Sequence, residues 1–323
     1  MIPPLHPDFW HNKTMQTRRA LIFLLLVLLI GLDAWVLSAL LASFARPAPT
    51  PNLAATLQRY RAATLTAFAR LPAPDVLTLT PRPAPTPDPL AWQDWPILPR
   101  VSAAARQRYA AALAAGADPA AVSFIADCFG QPEIFLAPLV EQPDLLTADP
   151  ALQQTAARFA PSLTRPGQAV IDGLNPSSAL SPLWADPAAC LPTEGPAACE
   201  LRLHRPALVF ILLGTNWDTP VDQTQYAADL RQLVTLVLDS GALPVLASKA
   251  DNREGDGSVN LAHARLAAEL DLPFWNFWQA AQALPNGGLD PDRGNIYLTP
   301  AGLELHRRAA LQALDHLSRT LAP

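Results

Sequence analysis

The residue in this sequence best placed to do chemistry is Cys128. It closes the run Val122-Ser-Phe-Ile-Ala-Asp-Cys128, in which a short apolar strand stops abruptly at Asp127-Cys128. Open α/β sheets place their chemistry at such carboxyl ends of strands. Other reactive or hydrogen-bonding groups follow apolar runs in the same way: Asp172-Gly173 after 168–171, Gly214-Thr-Asn-Trp-Asp218 after 207–213, and Ser248-Lys-Ala-Asp251 after 243–247. A thiol there is a candidate nucleophile, with Asn216, Asp127, Asp218, Lys249 and Asp251 as candidate binding groups and Trp217 as a candidate wall of the pocket mouth. A nucleophile also needs a base. His204 precedes the central strand and is expected at its far end. His263 is expected on an exposed helix, and His306 and His316 lie on the last helix; all four read as surface or helix residues. No pair of histidines has metal-ligand spacing beside a carboxylate, so neither a metal nor a cofactor is expected.

The elements that must carry these groups alternate. Ser102 can cap a helix running through Tyr109 to Gly116. The strand 122–126 follows, then a helix over 147–159 and a short strand at 168–171. A Pro-rich loop holding Cys190 and Cys199 leads to Ala207-Leu-Val-Phe-Ile-Leu-Leu213, an unbroken apolar run typical of a central parallel strand. Tyr226, Leu230, Leu233, Val234, Val237 and Leu238 recur at helical spacing before Gly241. A strand at 243–247, a helix at 261–270 and a strand at 273–277 come next, with Trp275, Phe277 and Trp278 expected in the core. Thr299-Pro300 opens a last helix to about Arg319. This pattern predicts an α/β domain of three layers around a central parallel sheet.

The N-terminal third differs. Half of the 323 residues are apolar, the net charge is −5, and the 35 prolines are about double the usual share of roughly 5%. The charge gives no case for nucleic acid. Residues 1–19 are polar with Lys13, Arg18 and Arg19. Residues 20–45 are apolar apart from Asp33, long enough for the ~20-residue span of a membrane helix. A cleavable signal peptide is the competing reading, but the apolar stretch outruns its usual apolar segment of ~7–15 residues. The basic residues put 1–19 in the cytoplasm and the rest outside. Residues 46–99, with Pro-rich ends and a short helix at 53–71, are expected to be a linker that lifts the domain, 100–323, off the membrane. Cys190 and Cys199 are spaced for one local bridge, favoured in an oxidising compartment, which leaves Cys128 alone.

These blocks, in this order, resemble the SGNH/GDSL hydrolases over residues 102–314, about two thirds of the chain. The resemblance implies a flavodoxin-like domain that hydrolyses acyl or acetyl esters on lipids or glycans. It places Cys128 at the serine nucleophile, and Gly173 and Asn216 at the two oxyanion-hole positions. Tyr297, in Tyr297-Leu-Thr-Pro-Ala-Gly302, falls at the histidine base. The anchor, stalk and Cys190/Cys199 loop look like an extracytoplasmic bacterial subset of the family.

The departures are chemical. A phenol, with a pKa of about 10, is a poor base at neutral pH. Gly294 stands where the family has aspartate, although Asp290 and Asp292 are near. Asp127 disfavours a thiolate at Cys128, while a helix N-terminus after it would favour one. The expectation is impaired or lost hydrolysis. The alternatives are a pseudoenzyme that binds a glycan or acylated ligand, or a Cys128-dependent acyl transferase. Ser248-Lys-Ala-Asp-Asn-Arg253 reads equally as pocket lining and as a solvated loop.

Overall fold

The computed structural model describes residues 88–217 and 223–322. The segments 1–19 and 20–45, the linker as far as 87, the helix expected at 53–71 and Asp218 lie outside the described residues. Among the described residues no helix is long and apolar enough to cross a membrane.

Four strands, β1 (Asp118–Ala126), β2 (Pro206–Leu212), β3 (Leu243–Ala247) and β4 (Phe274–Trp275), form one parallel sheet in that order. β3 is buried throughout and β2 in all but its last residue, which is why both read as continuous apolar runs. The strand expected at 168–171 is reduced to one parallel bridge. Val170 pairs with Ala126 on the outer edge of β1, where the Ala126 N–H donates to Ala169 (2.9 Å) and the Ile171 N–H donates to Ala126 (3.1 Å). Pro166 and the turn at Asp172-Gly173 leave no room for a longer ladder. β4 is likewise shorter than expected, because Asn276 caps the next helix by accepting from the Gln279 N–H.

Nine helices are described: α1 (Ala103–Ala114), α2 (Ala137–Glu141), α3 (Pro150–Leu163), α4 (Pro176–Leu180), α5 (Pro196–His204), α6 (Gln223–Asp239), α7 (Ser258–Leu270), α8 (Phe277–Ala281) and α9 (Pro300–Thr320). Ser102 and Thr299 cap α1 and α9 as the sequence predicts. α3 starts later than 147 because Asp149, not Thr147, accepts from the Leu152 N–H. The sequence reading missed α5, which lies inside the stretch taken as a loop. Its Cys199 is bonded to Cys190. The fully buried Glu200 on α5 accepts from Ser123 Oγ on β1 (2.5 Å), Arg165 Nη2 (2.6 Å) and the Gln168 N–H (2.7 Å). One paired carboxylate therefore ties α5 to β1 and to the short bridge segment.

The domain begins earlier than residue 100. Residues 88–99, expected in the linker, pack into the core. Trp92 and Trp95 are buried and meet Trp278 and Phe274 edge-on at 5.2 and 5.1 Å. Asn276 Nδ2 donates to the carbonyls of Trp92 (2.8 Å) and Trp95 (3.1 Å). Proline density suggests a stalk, but two indoles in four residues bury too much apolar surface to stay in water. Trp92→Ala should therefore cost about 3–5 kcal/mol of unfolding free energy in a denaturant titration; a loss below about 1 kcal/mol would mean that 88–99 is dispensable. Without reductant, alkylation of the unfolded chain should label Cys128 alone. Reduction should lower stability by about 2–3 kcal/mol for so short a loop.

Candidate ligand site at the carboxyl edge of the sheet

The end of β1 places Asp127 where its Oδ1 accepts from the Phe129 N–H (3.1 Å), capping the three-residue turn Cys128–Gly130. After β2 the chain turns at Gly214, with φ of +130°. A Cβ there would lie 2.5 Å from Val259 Cγ1, so only glycine lets the next residues cross toward β1. Asn216 Nδ2 then donates to Asp127 Oδ2 at 3.3 Å. On the other side, Gln131 Nε2 donates to Asp172 Oδ1 (2.9 Å), holding the turn after Cys128 against Asp172-Gly173. The Gly173 N–H has no acceptor among the described residues. Cys128, Gly173 and Asn216 are thus gathered around the end of β1. Next to Gly173 stands Trp184, 44% exposed, within 3.8 Å of where a Cβ on Gly173 would sit.

Tyr297 is placed differently from a base. It is 38% exposed, with the Arg293 guanidinium 3.7 Å over its ring and Phe129 6.2 Å away. Asp290 does not reach it by side chain. Its Oδ1 accepts from the Asp292 N–H (3.0 Å), and only its backbone N–H donates to the Tyr297 carbonyl (2.8 Å).

Electrostatics work against a nucleophile. Burial pushes the Cys128 thiol up to about 12, helped by the charges of Asp127 and Asp172. The element after Cys128 is a single 3₁₀ turn, too short to supply a helix dipole of useful size. Burial also raises Asp127, to about 7, with the Asp251 charge adding to it against the Phe129 N–H and Lys249.

Lys249, Asp251 and Glu254 are buried together. Lys249 Nζ donates to Asp251 Oδ1 (2.6 Å), the Asp251 carbonyl (3.1 Å) and Glu254 Oε2 (2.6 Å), while Thr215 Oγ1 donates to Asp251 Oδ2 (2.8 Å). Residues 248–251 therefore line the pocket while Asn252 and Arg253 are exposed, and the ammonium group is engaged within the fold. Glu254 was missed because nothing in the sequence marks it as internal.

Two histidines expected at the surface are in the core. His263 is fully buried on α7, its Nε2 2.7 Å from Tyr226 Oη. His306 is 6% exposed on α9, stacked on Phe135 (4.7 Å) and Trp275 (5.3 Å). Burial pushes both down to about 3, so both rings are neutral at neutral pH. The helical period could have placed them, since Val259, His263 and Ala267 share one face, as do Gly302, His306, Ala310 and Leu314. His204 ends α5, 3.7 Å from Glu200, and His316 lies 3.0 Å from the Pro99 carbonyl.

A pocket with a cavity volume of about 40 Å³, open to solvent on one side, lies under loop 289–298. Its polar lining is Asp127, Thr215, Ser248, Lys249, Asp251 and His306, and Phe129 and Phe277 are among its apolar walls. Cys128, Gly173, Asn216 and Tyr297 lie outside that lining. Among the described residues no group of acidic, histidine and cysteine side chains is arranged to hold a metal.

No protein-family model matches the chain, and no curated protein does. Solved structures similar to it include a psychrotrophic esterase, EstA, from a Pseudoalteromonas species: 15% identity, 60% of this chain and 96% of that one, TM-score 0.41. A GDSL-like lipase from Bacteroides thetaiotaomicron is similar at 19% identity, covering 65% of this chain and 97% of that one, TM-score 0.40. A peptidoglycan O-acetylesterase is similar at 16% identity and TM-score 0.35 over 47% of this chain; this chain spans 46% of its length. The chemistry of the site follows from this chain's own residues.

Asp127 gives a signed pH test. Its folded pKa of about 7 lies above the 3.8 of an unperturbed carboxyl, so its stabilising contribution is complete below about pH 4 and is lost as pH rises through about 7. His306 and His263 act oppositely: their folded values are depressed, so their contribution is present above about 6.5 and lost as pH falls. The difference between Asp127→Asn and the native chain isolates Asp127. The variant's relative stability should grow by roughly 2–4 kcal/mol between about pH 4 and pH 8. A constant difference would mean that Asp127 titrates normally.

Proposed function

We propose that this chain is a membrane-anchored, extracytoplasmic protein whose three-layer, flavodoxin-like domain is of the SGNH/GDSL hydrolase type, with ester hydrolysis lost and ligand binding kept. The observation that carries the reading is that no base among the described residues serves Cys128. Tyr297 sits under Arg293 at the rim, Asp290 is committed to its own turn, and His306 is held in an aromatic stack. The free Gly173 N–H and the Asn216 amide support a retained capacity to bind a carbonyl group. The exposed Trp184 face beside Gly173 supports a glycan or acylated ligand. The anchor at 20–45 and the stalk rest on the apolar and Pro-rich composition.

Acyl transfer by Cys128 is the weaker reading. With a thiol near 12, only about one molecule in 10⁵ carries a thiolate at pH 7. The test is turnover of p-nitrophenyl acetate by the full chain and by Cys128→Ala. Equal background rates are expected; native turnover that disappears in Cys128→Ala overturns the reading. Cys128→Ser with Tyr297→His should still fall short of an active esterase by several orders of magnitude, because the new imidazole lacks an orienting carboxylate. Full activity in that pair would show that the site was disabled by its two side chains alone.

A further inference from the structure

The pocket under loop 289–298 is unusual in what it offers a ligand. All three protons of Lys249 are used by Asp251 and Glu254. The Thr215 hydroxyl proton goes to Asp251, and that of Ser248 goes to Asn276 Oδ1 (3.0 Å). What remains among the polar side chains of the lining is mostly acceptor capacity. Each Asp127 oxygen accepts one hydrogen bond and keeps a lone pair, and Asp127 has no ion-pair partner among the described residues. His306 is nine-tenths buried, is fixed by its ring contacts and lines the pocket. Neither of its nitrogens has a hydrogen-bond partner among the described residues. Being neutral, it keeps one ring nitrogen as an acceptor.

Charge points the same way. The carboxylates of Asp127 and Asp251 line the pocket and Glu254 lies behind, against the single ammonium of Lys249. The walls add the rings of Phe129 and Phe277, whose faces attract a cation.

We propose that this pocket binds a small primary ammonium ion on a short apolar chain, its N–H groups donating to Asp127 and His306. Among the described residues of the lining, an anion would find no free cation and an excess of carboxylate. A neutral alcohol of the same size brings a single donor and no charge. This site goes beyond the binding of an acyl ligand at the rim and uses groups that hydrolysis would not.

Binding needs Asp127 ionised, so it should strengthen as pH rises through about 7. The charged groups facing Asp127 are Asp251, Asp172 and Lys249, and Arg307 acts on His306.

The experiment is calorimetric titration of the full chain with propylammonium chloride, with propanol and propionate as matched probes. Saturable binding of propylammonium in the millimolar range is expected, roughly thirty-fold tighter at about pH 8.5 than at about pH 5.5 from the ionised fraction of Asp127. Asp127→Asn should abolish it. His306→Phe, which keeps the aromatic stack, should weaken it at least about ten-fold, the loss of one good hydrogen bond to a charged group. Propanol or propionate binding as tightly as propylammonium would overturn the proposal, as would a flat pH dependence or unchanged affinity in His306→Phe. The native pH series and the His306 variant decide the matter even if Asp127→Asn fails to fold. The esterase assay does not depend on this outcome.

Discussion

An ammonium group carries three protons, and at Lys249 the fold spends all of them inside the protein. The cost of burying that charge is met only because two carboxylates and a carbonyl surround it, and removing one partner of such a pair typically costs 3–5 kcal/mol. Its backbone is held too: the Lys249 N–H donates to Asn260 Oδ1 (2.8 Å) and Asn260 Nδ2 donates to the Lys249 carbonyl (3.0 Å). Thr215 carries the lock to the end of β2 through Asp251. The loops after β2 and β3 are thus fixed relative to α7, and Gly214 can aim Asn216 at Asp127. The arrangement also takes the one lysine at this edge out of play as a receptor for anions.

The nucleophile side is constrained from the opposite direction. Burial of Cys128, with the charge of Asp127 beside it, raises the thiol, and the turn after Cys128 is too short to offset it. The third departure is a matter of backbone. Gly294 has φ of +70° and closes the turn Pro291–Arg293, so an aspartate placed there would sit in left-handed conformation at about 1–2 kcal/mol. The loop that would present a base has settled into a shape that holds Tyr297 against Arg293. Loop geometry, as well as side-chain identity, therefore keeps a carboxylate away from Tyr297.

Much of this was legible in the sequence, and for physical reasons. β2 and β3 announce themselves because strands covered on both faces are apolar at every position, and Ser102 and Thr299 mark helix starts by unambiguous capping chemistry. The gathering of Cys128, Gly173 and Asn216 followed from strand ends alone. What failed were cases in which one strong signal masked another. Proline density hid Trp92 and Trp95, and the polarity of histidine hid the fact that positions 263 and 306 fall on apolar helical faces. Proline and cysteine likewise disguised α5 as loop. Lys249 and Asp251 were expected at a strand end, but their mutual neutralisation depends on a turn that no spacing rule specifies.

Asp127 belongs to both halves of the site. Toward the rim it holds Asn216 and adjoins Cys128; toward the interior it lines the acceptor-rich pocket with His306. These roles oppose each other. A nucleophile at Cys128 requires negative charge on sulfur, which a charged Asp127 next to it resists. A cation in the pocket requires that same charge on Asp127. The raised thiol and the carboxylate without an ion-pair partner among the described residues are consistent with one another: negative charge on Asp127 opposes a thiolate at Cys128 and would favour a cation in the pocket.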